Sequence, residues 1–143
     1  GLINPSIAIH LGCWSDPGHY RWDCGTPWSF ANRVAGRHGS VSEWTGRWNH
    51  WAFTKDVRVG PDGGKGLMRI YLNGVLYESR WGTDTPIENV NSFLIGSGWY
   101  GYYDGLLDDF RIYDYALGQT EIDRLVGDFA LLADDWLDDQ LWP

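Results

Sequence analysis

The chain has 143 residues, 43% hydrophobic and 21% charged, a length and balance that suit one folded domain and exclude a disordered segment. No apolar run reaches the roughly eighteen residues of a membrane-spanning helix. The formal net charge of −8, with no offsetting Lys/Arg cluster, argues against nucleic acid and anionic membranes as partners. Ten Trp, eight Tyr and nineteen Gly suit short strands joined by tight turns.

In chain order, residues 5–12 read as a strand and residues 20–24 as its return, with Ser15-Asp16-Pro17-Gly18 as the turn. That reading sets Cys13 and Cys24 facing each other near the open end of the hairpin. A disulfide there would add about 3 kcal/mol in the chain-entropy model and imply an oxidising, extracellular setting. Two unpaired, partly buried thiols are the alternative. Two cysteines with no second pair do not make a zinc site. Residues 25–45 read as loop with room for one short strand. Residues 48–55, Trp-Asn-His-Trp-Ala-Phe-Thr-Lys, are aromatic and β-prone. After a turn at Pro61-Asp62-Gly63-Gly64, Leu67–Leu72 alternates, and Asn73-Gly74 signals a type I′ hairpin turn, which needs positive φ at both positions. Val75–Arg80 alternates back. Residues 92–96 form a short strand, Trp99-Tyr100-Gly101-Tyr102-Tyr103 an aromatic loop, and Leu106–Tyr113 the last strand. Residues 120–126 and 128–137 have helical spacing, with Phe129, Leu132, Trp136 and Leu137 on one stripe and Asp134, Asp135, Asp138 and Asp139 mostly off it.

Five segments carry a family resemblance: Trp48-Asn49-His50-Trp51-Ala52-Phe53-Thr54, Arg69-Ile70-Tyr71-Leu72-Asn73-Gly74, Phe93-Leu94-Ile95-Gly96-Ser97, Gly105-Leu106-Leu107-Asp108-Asp109-Phe110-Arg111-Ile112-Tyr113, and Ala116-Leu117 with Glu121-Ile122. Their order and spacing resemble the laminin-G-like branch of the concanavalin A-like lectin/glucanase superfamily over roughly residues 5–126. The resemblance implies an all-β fold, an antiparallel β-sandwich (jelly roll) over residues 1–117, with a short helical tail at 118–143. It also implies secretion and a role in holding glycans or proteins. Family members usually carry several strands ahead of the part matching residue 5. A sandwich without them leaves strand edges unpaired and an apolar face bare. The expectation is therefore that a second copy or a partner segment completes the sheets. Gly118 stands where the family often has a Ser N-cap, a weaker cap. Residues 128–137 are similar to the helix of a dockerin-like repeat, but the D-x-N-x-D-G calcium loop that should precede it is missing. A helix packing its Trp136 stripe on the sandwich is the alternative.

Some members of the superfamily hydrolyse glucans through E-x-D-x-x-E on a strand. The nearest match, Glu121-Ile122-Asp123-Arg124-Leu125-Val126, lacks the last carboxylate and falls in helical spacing, whereas retaining hydrolysis needs two carboxyls about 5 Å apart. Asp108 and Asp109 are neighbours on a predicted strand and point to opposite faces. His10, His19, His38 and His50 have no Ser or Cys motif beside them. The expectation is a protein that is not an enzyme, with His50 a hydrogen-bonded structural residue rather than a ligand or base. Aromatic rings stack on sugar faces, and neighbouring Asp, Asn and Arg hydrogen-bond hydroxyls. Trp99, Tyr100, Tyr102 and Tyr103, beside Asp104, are the candidate glycan contacts, with Trp81 and Trp28 as further ones. The same rings would serve a protein interface equally. The functional expectation is a secreted, non-catalytic carbohydrate-binding module, and the alternative is a self-associating extracellular structural protein. Asp16, Asp56, Asp62 and Asp104 are candidates for a structural calcium, with a solvated acidic surface as the alternative.

Overall fold

The computed structural model describes residues 7–13, 16–25, 30–37, 40, 42, 44–59, 66–85, 95–98 and 101–128. One sheet joins β1 (Ile7–Cys13), β2 (Asp16–Cys24) and β3 (Arg33–Arg37), antiparallel in that order, with a single 3-10 turn at Phe30–Asn32 leading into β3. A second joins β4 (Trp51–Asp56), β5 (Leu67–Leu72) and β6 (Val75–Trp81), again antiparallel and in order. β7 (Ser97–Gly98) and β8 (Gly101–Tyr102) form a small ladder of their own. Residues 119–128 are helical, α1. This is the all-β sandwich with a short helix near the C-terminus that the sequence predicts.

The period of two on β2 sends Tyr20, Trp22 and Cys24 to one face and Arg21 and Asp23 to the other. The first three are buried, and with Val34 of β3 they meet Met68 and Ile70 of β5 across the sandwich. Rings fill the gap edge to face: Tyr20 with Trp44 at 6.4 Å, Trp22 with Phe53 at 5.8 Å. Each such pair adds about 1 kcal/mol beyond its burial. Register puts Ile7 and Ile9 on this same core-facing side, opposite Cys24 and Trp22, yet both remain exposed on the edge strand.

The second sheet is covered on its other face too. There Tyr71 and Ala52 pack against Leu117 and against Ile122 and Leu125 of α1. Cover on both faces explains why Met68, Ile70 and Tyr71 are all buried on one strand. The helix starts on half of a capping box: Gly118 N–H donates to Glu121 Oε2 at 2.8 Å, but Gly118 has no side chain to reciprocate. Tyr115 O–H donates to the other carboxylate oxygen at 2.9 Å. At the β5–β6 turn, Asn73 and Gly74 have φ of 51° and 82°, as a type I′ turn requires. Asn73 exchanges two hydrogen bonds with the His50 backbone, fastening the turn to the lead-in of β4.

One charged group ties the first sheet to its surroundings, and another ties two of its strands together. Lys55 lies on the core-facing side of β4, and its ammonium reaches the end of the sandwich. It donates there to Cys24 O at 2.7 Å, Thr85 O at 2.9 Å and the buried Asn32 Oδ1 at 3.2 Å. Burial pushes its pKa below the usual lysine value. On the outer face of β2, buried Asp23 accepts two bonds from Arg33, at 2.6 and 3.1 Å. Arg21 Nε lies 3.1 Å from Asp23 Oδ2, an ion pair whose N–H is poorly aimed for a hydrogen bond.

The structure corrects two expectations. The first hairpin does not reverse at Asp16–Gly18. Cys13 already pairs with Asp16, so Pro17 and Gly18 are part of a bulged β2; Trp14 and Ser15 lie outside the described residues. Proline is tolerated there because β3 pairs with β2 only from His19 onward. The corrected register sets Cys24 opposite Ile7, six residues along β1 from Cys13, or about 20 Å. Disulfides need Cα atoms within about 7 Å. The predicted Cys13–Cys24 bridge is therefore not formed, and Cys24 is a buried free thiol, its pKa pushed up by burial to about 11. The second correction concerns residues 106–113, read as the last strand, which lie outside every sheet. The predicted strand at 92–96 falls mostly outside the described residues, as does the stripe of Phe129, Leu132, Trp136 and Leu137.

Candidate functional site

The predicted aromatic loop is a hairpin. Ser97 pairs with Tyr102 and Gly98 with Gly101, and Tyr103 N–H closes the base by donating to Gly96 O at 2.8 Å. Trp99 and Tyr100 lie outside the described residues. Tyr102 is 86% exposed and Tyr103 about half exposed. The Tyr103 ring lies over Gly105, where an added Cβ would come within 2.7 Å of the ring, so a glycine at 105 lets the ring lie flat. Asp104, exposed, follows directly. Tyr102, Tyr103 and Asp104 are thus consecutive exposed residues at the end of this hairpin. Trp81 is exposed but ends β6 opposite Leu67, on a different element. Trp28 lies outside the described residues.

Every residue from Tyr102 to Tyr115 is exposed. The stretch carries Leu106, Leu107, Phe110, Ile112, Tyr113 and Tyr115, large apolar side chains that folding usually covers. Sequence reasoning missed these as surface residues, because a strand-like pattern does not say whether the strand has neighbours. Within the stretch, Arg111 Nε lies 2.8 Å from Asp109 Oδ1, and Asp109 has φ 51°. His50, half-buried at the start of β4, has its pKa lowered chiefly by burial, with Asp109 opposing and Arg111 reinforcing that shift.

The carboxylates singled out for catalysis have other partners. Glu121 caps α1, and the Gly118 N–H and the Tyr115 hydroxyl hold it below the usual carboxylate range. Asp123 accepts from Gln119 Nε2 at 2.7 Å. On the first sheet, Arg21 Nη2 and His10 Nε2 are 2.7 Å apart, and burial and then Arg21 lower the His10 pKa. Asp56 accepts from the backbone N–H of Arg58 at 2.9 Å, which with the Arg58 side chain lowers its pKa against the opposing effect of burial. Of the other calcium candidates, Asp62 lies outside the described residues and Asp16 is described only in its backbone. Among the described residues, no three His, Cys, Asp or Glu side chains gather closely enough to hold a metal ion.

A laminin-G-type family model, described as the concanavalin A-like lectin/glucanases superfamily, matches residues 5–123. No curated protein sequence matches the chain significantly. Among solved structures, the chain is similar to an S-layer domain-containing protein from Clostridium thermocellum ATCC 27405, at 21% identity and a TM-score of 0.49. The match covers 76% of this chain and 52% of that one, so the chain spans about half the length of that structure.

Proposed function

The chain belongs to the concanavalin A-like lectin/glucanase superfamily, and from that membership we propose that it is a non-catalytic extracellular binding module that holds carbohydrate against the β7–β8 hairpin. The observation that supports this reading is Tyr102, a ring left almost wholly in water on a two-stranded hairpin, beside a second half-exposed tyrosine. A sugar presents weakly positive C–H bonds to such a face, and a neighbouring carboxylate such as Asp104 accepts from its hydroxyls. Trp99 and Tyr100, in the same hairpin sequence, extend the candidate surface, and Trp81 and Trp28 are further candidates.

The test is a glycan array on folded protein, run with calcium and with chelator. The expected result is binding that falls about tenfold in Tyr102→Ala with the fold intact. Loss in chelator alone would assign calcium a part. Silence across a broad array from folded protein would overturn the carbohydrate reading. The second reading, a self-associating surface module, is favoured by one specific observation: Leu106, Leu107 and Ile112 are exposed aliphatic side chains, which offer a sugar neither a π-face nor a hydrogen bond.

A further inference from the structure

Residues 105–113, Gly-Leu-Leu-Asp-Asp-Phe-Arg-Ile-Tyr, have the composition of a strand yet lie outside every sheet, with Leu106, Leu107 and Ile112 exposed. A strand-forming segment outside any ladder is a template for another strand. We propose that its partner is the same segment of a second copy, paired antiparallel about a two-fold axis through Phe110. This deepens the self-association reading and is independent of the carbohydrate one, because the two use different residues.

The argument is symmetry and charge. In a two-fold antiparallel pair the axis runs perpendicular to the ribbon through one residue, which meets its own copy. The residues n places before it face those n places after it in the partner. An axis at Asp108, Asp109 or Arg111 sets like charges directly opposite, which is destabilising. An axis at Leu107 or Ile112 sets a tyrosine, not a carboxylate, opposite Arg111. An axis at Phe110 sets Asp109 against the partner's Arg111 and Leu107 against the partner's Tyr113, each twice by symmetry. On the other face Phe110 meets its copy, and Asp108 falls opposite the partner's Ile112.

The single chain already holds the matching charges together: Asp109 and Arg111 form an ion pair at 2.8 Å, with Asp109 in a left-handed conformation that aspartate tolerates. Pairing extends Asp109 and exchanges that internal ion pair for two between copies. The charges are satisfied in both states, so apolar cover and the new ladder drive the association. A ribbon this short is smaller than the roughly 800 Å² per partner of a standard interface, so the dimer is weak and concentration-dependent.

Cysteine cross-linking in a Cys13→Ser background tests the register, Cys24 being buried. Phe110→Cys places two thiols face to face on the axis. Asp108→Cys places them four residues apart along the ribbon, about 13 Å, beyond disulfide reach. The expected result is at least tenfold more cross-linked dimer from Phe110→Cys than from Asp108→Cys under mild oxidation. Sedimentation should show a dimer growing with concentration, lost in Arg111→Glu and regained when Asp109→Arg is combined with Arg111→Asp. Circular dichroism serves as the folding control, and the substituted residues belong to no sheet or helix. A wild-type chain that stays monomeric into the millimolar range would overturn the proposal. So would equal cross-linking from the two cysteine positions.

Discussion

The tripeptide Arg-Ile-Tyr occurs twice, as Arg69-Ile70-Tyr71 in β5 and as Arg111-Ile112-Tyr113 near the C-terminal helix. In the first copy Ile70 is 0% exposed, and in the second Ile112 is 72% exposed. The difference is not in the residues. β5 has a strand on each side, an aromatic core on one face and Leu117 with α1 on the other. The second copy belongs to no sheet. Alternation fixes which side chains share a face; neighbours decide whether that face is buried.

The comparison breaks most visibly under truncation. Ile70→Ala should cost about 2–5 kcal/mol, because it removes buried methyls and leaves a cavity among Trp22, Met68 and their neighbours. Ile112→Ala in dilute protein should change stability by no more than about 0.5 kcal/mol. Urea unfolding of the two variants side by side measures both, and equal losses would mean that residue 112 is covered after all.

The two aspartate–arginine pairs sharpen the same contrast. Asp23→Ala strands Arg21 and Arg33 around a buried position and should cost about 3 kcal/mol. Asp109→Ala breaks a pair whose side chains are about half exposed and should cost under about 1 kcal/mol, less still in high salt. Urea midpoints at low and high ionic strength separate the two cases.

The smallest expected effect is on pH. Burial lowers the pKa of both His10 and His50 below 6.5. As pH falls through 6.5 the unfolded chain therefore takes up protons before the folded chain does. Stability should be level from about pH 6.5 to about pH 8, below the range where the raised Cys24 thiol pKa begins to matter, and decline below pH 6.5, before the carboxylates titrate. His10→Gln and His50→Gln should each flatten part of that decline. An unchanged profile in both variants would assign the decline elsewhere.

Much of the buried half was legible in the sequence. Asn73-Gly74 could make little else but a tight hairpin turn, and Tyr20-Arg21-Trp22-Asp23-Cys24 shows its inner face by alternation alone. The first hairpin was misread because Asp-Pro-Gly is an equally good bulge when one neighbouring strand stops short of it. That choice moves the register by only about two residues, since a turn centred on Asp16-Pro17 would set Cys13 opposite Tyr20, where the structure has Leu11. In either register Cys24 sits at the far end of the hairpin from Cys13, which is why the disulfide fails. Tyr102 and Tyr103 were legible as a candidate surface because a run so aromatic has few ways to be buried. The Asp23 cluster was less legible: its three charges come from residues 21, 23 and 33, and only the pairing of β2 with β3 brings them together. The openness of residues 104–115 was not legible at all, since it depends on which strands lie alongside.

Hydrogen exchange of the backbone amides in dilute protein tests the central claim most directly, that this stretch is an uncovered surface standing beside a closed core. The amides of residues 104–115 should exchange within seconds, while those of Leu67–Leu72 stay protected for hours. Protection of residues 104–115 equal to that of β5 would contradict the account, because it would mean that the stretch is already paired within a single chain.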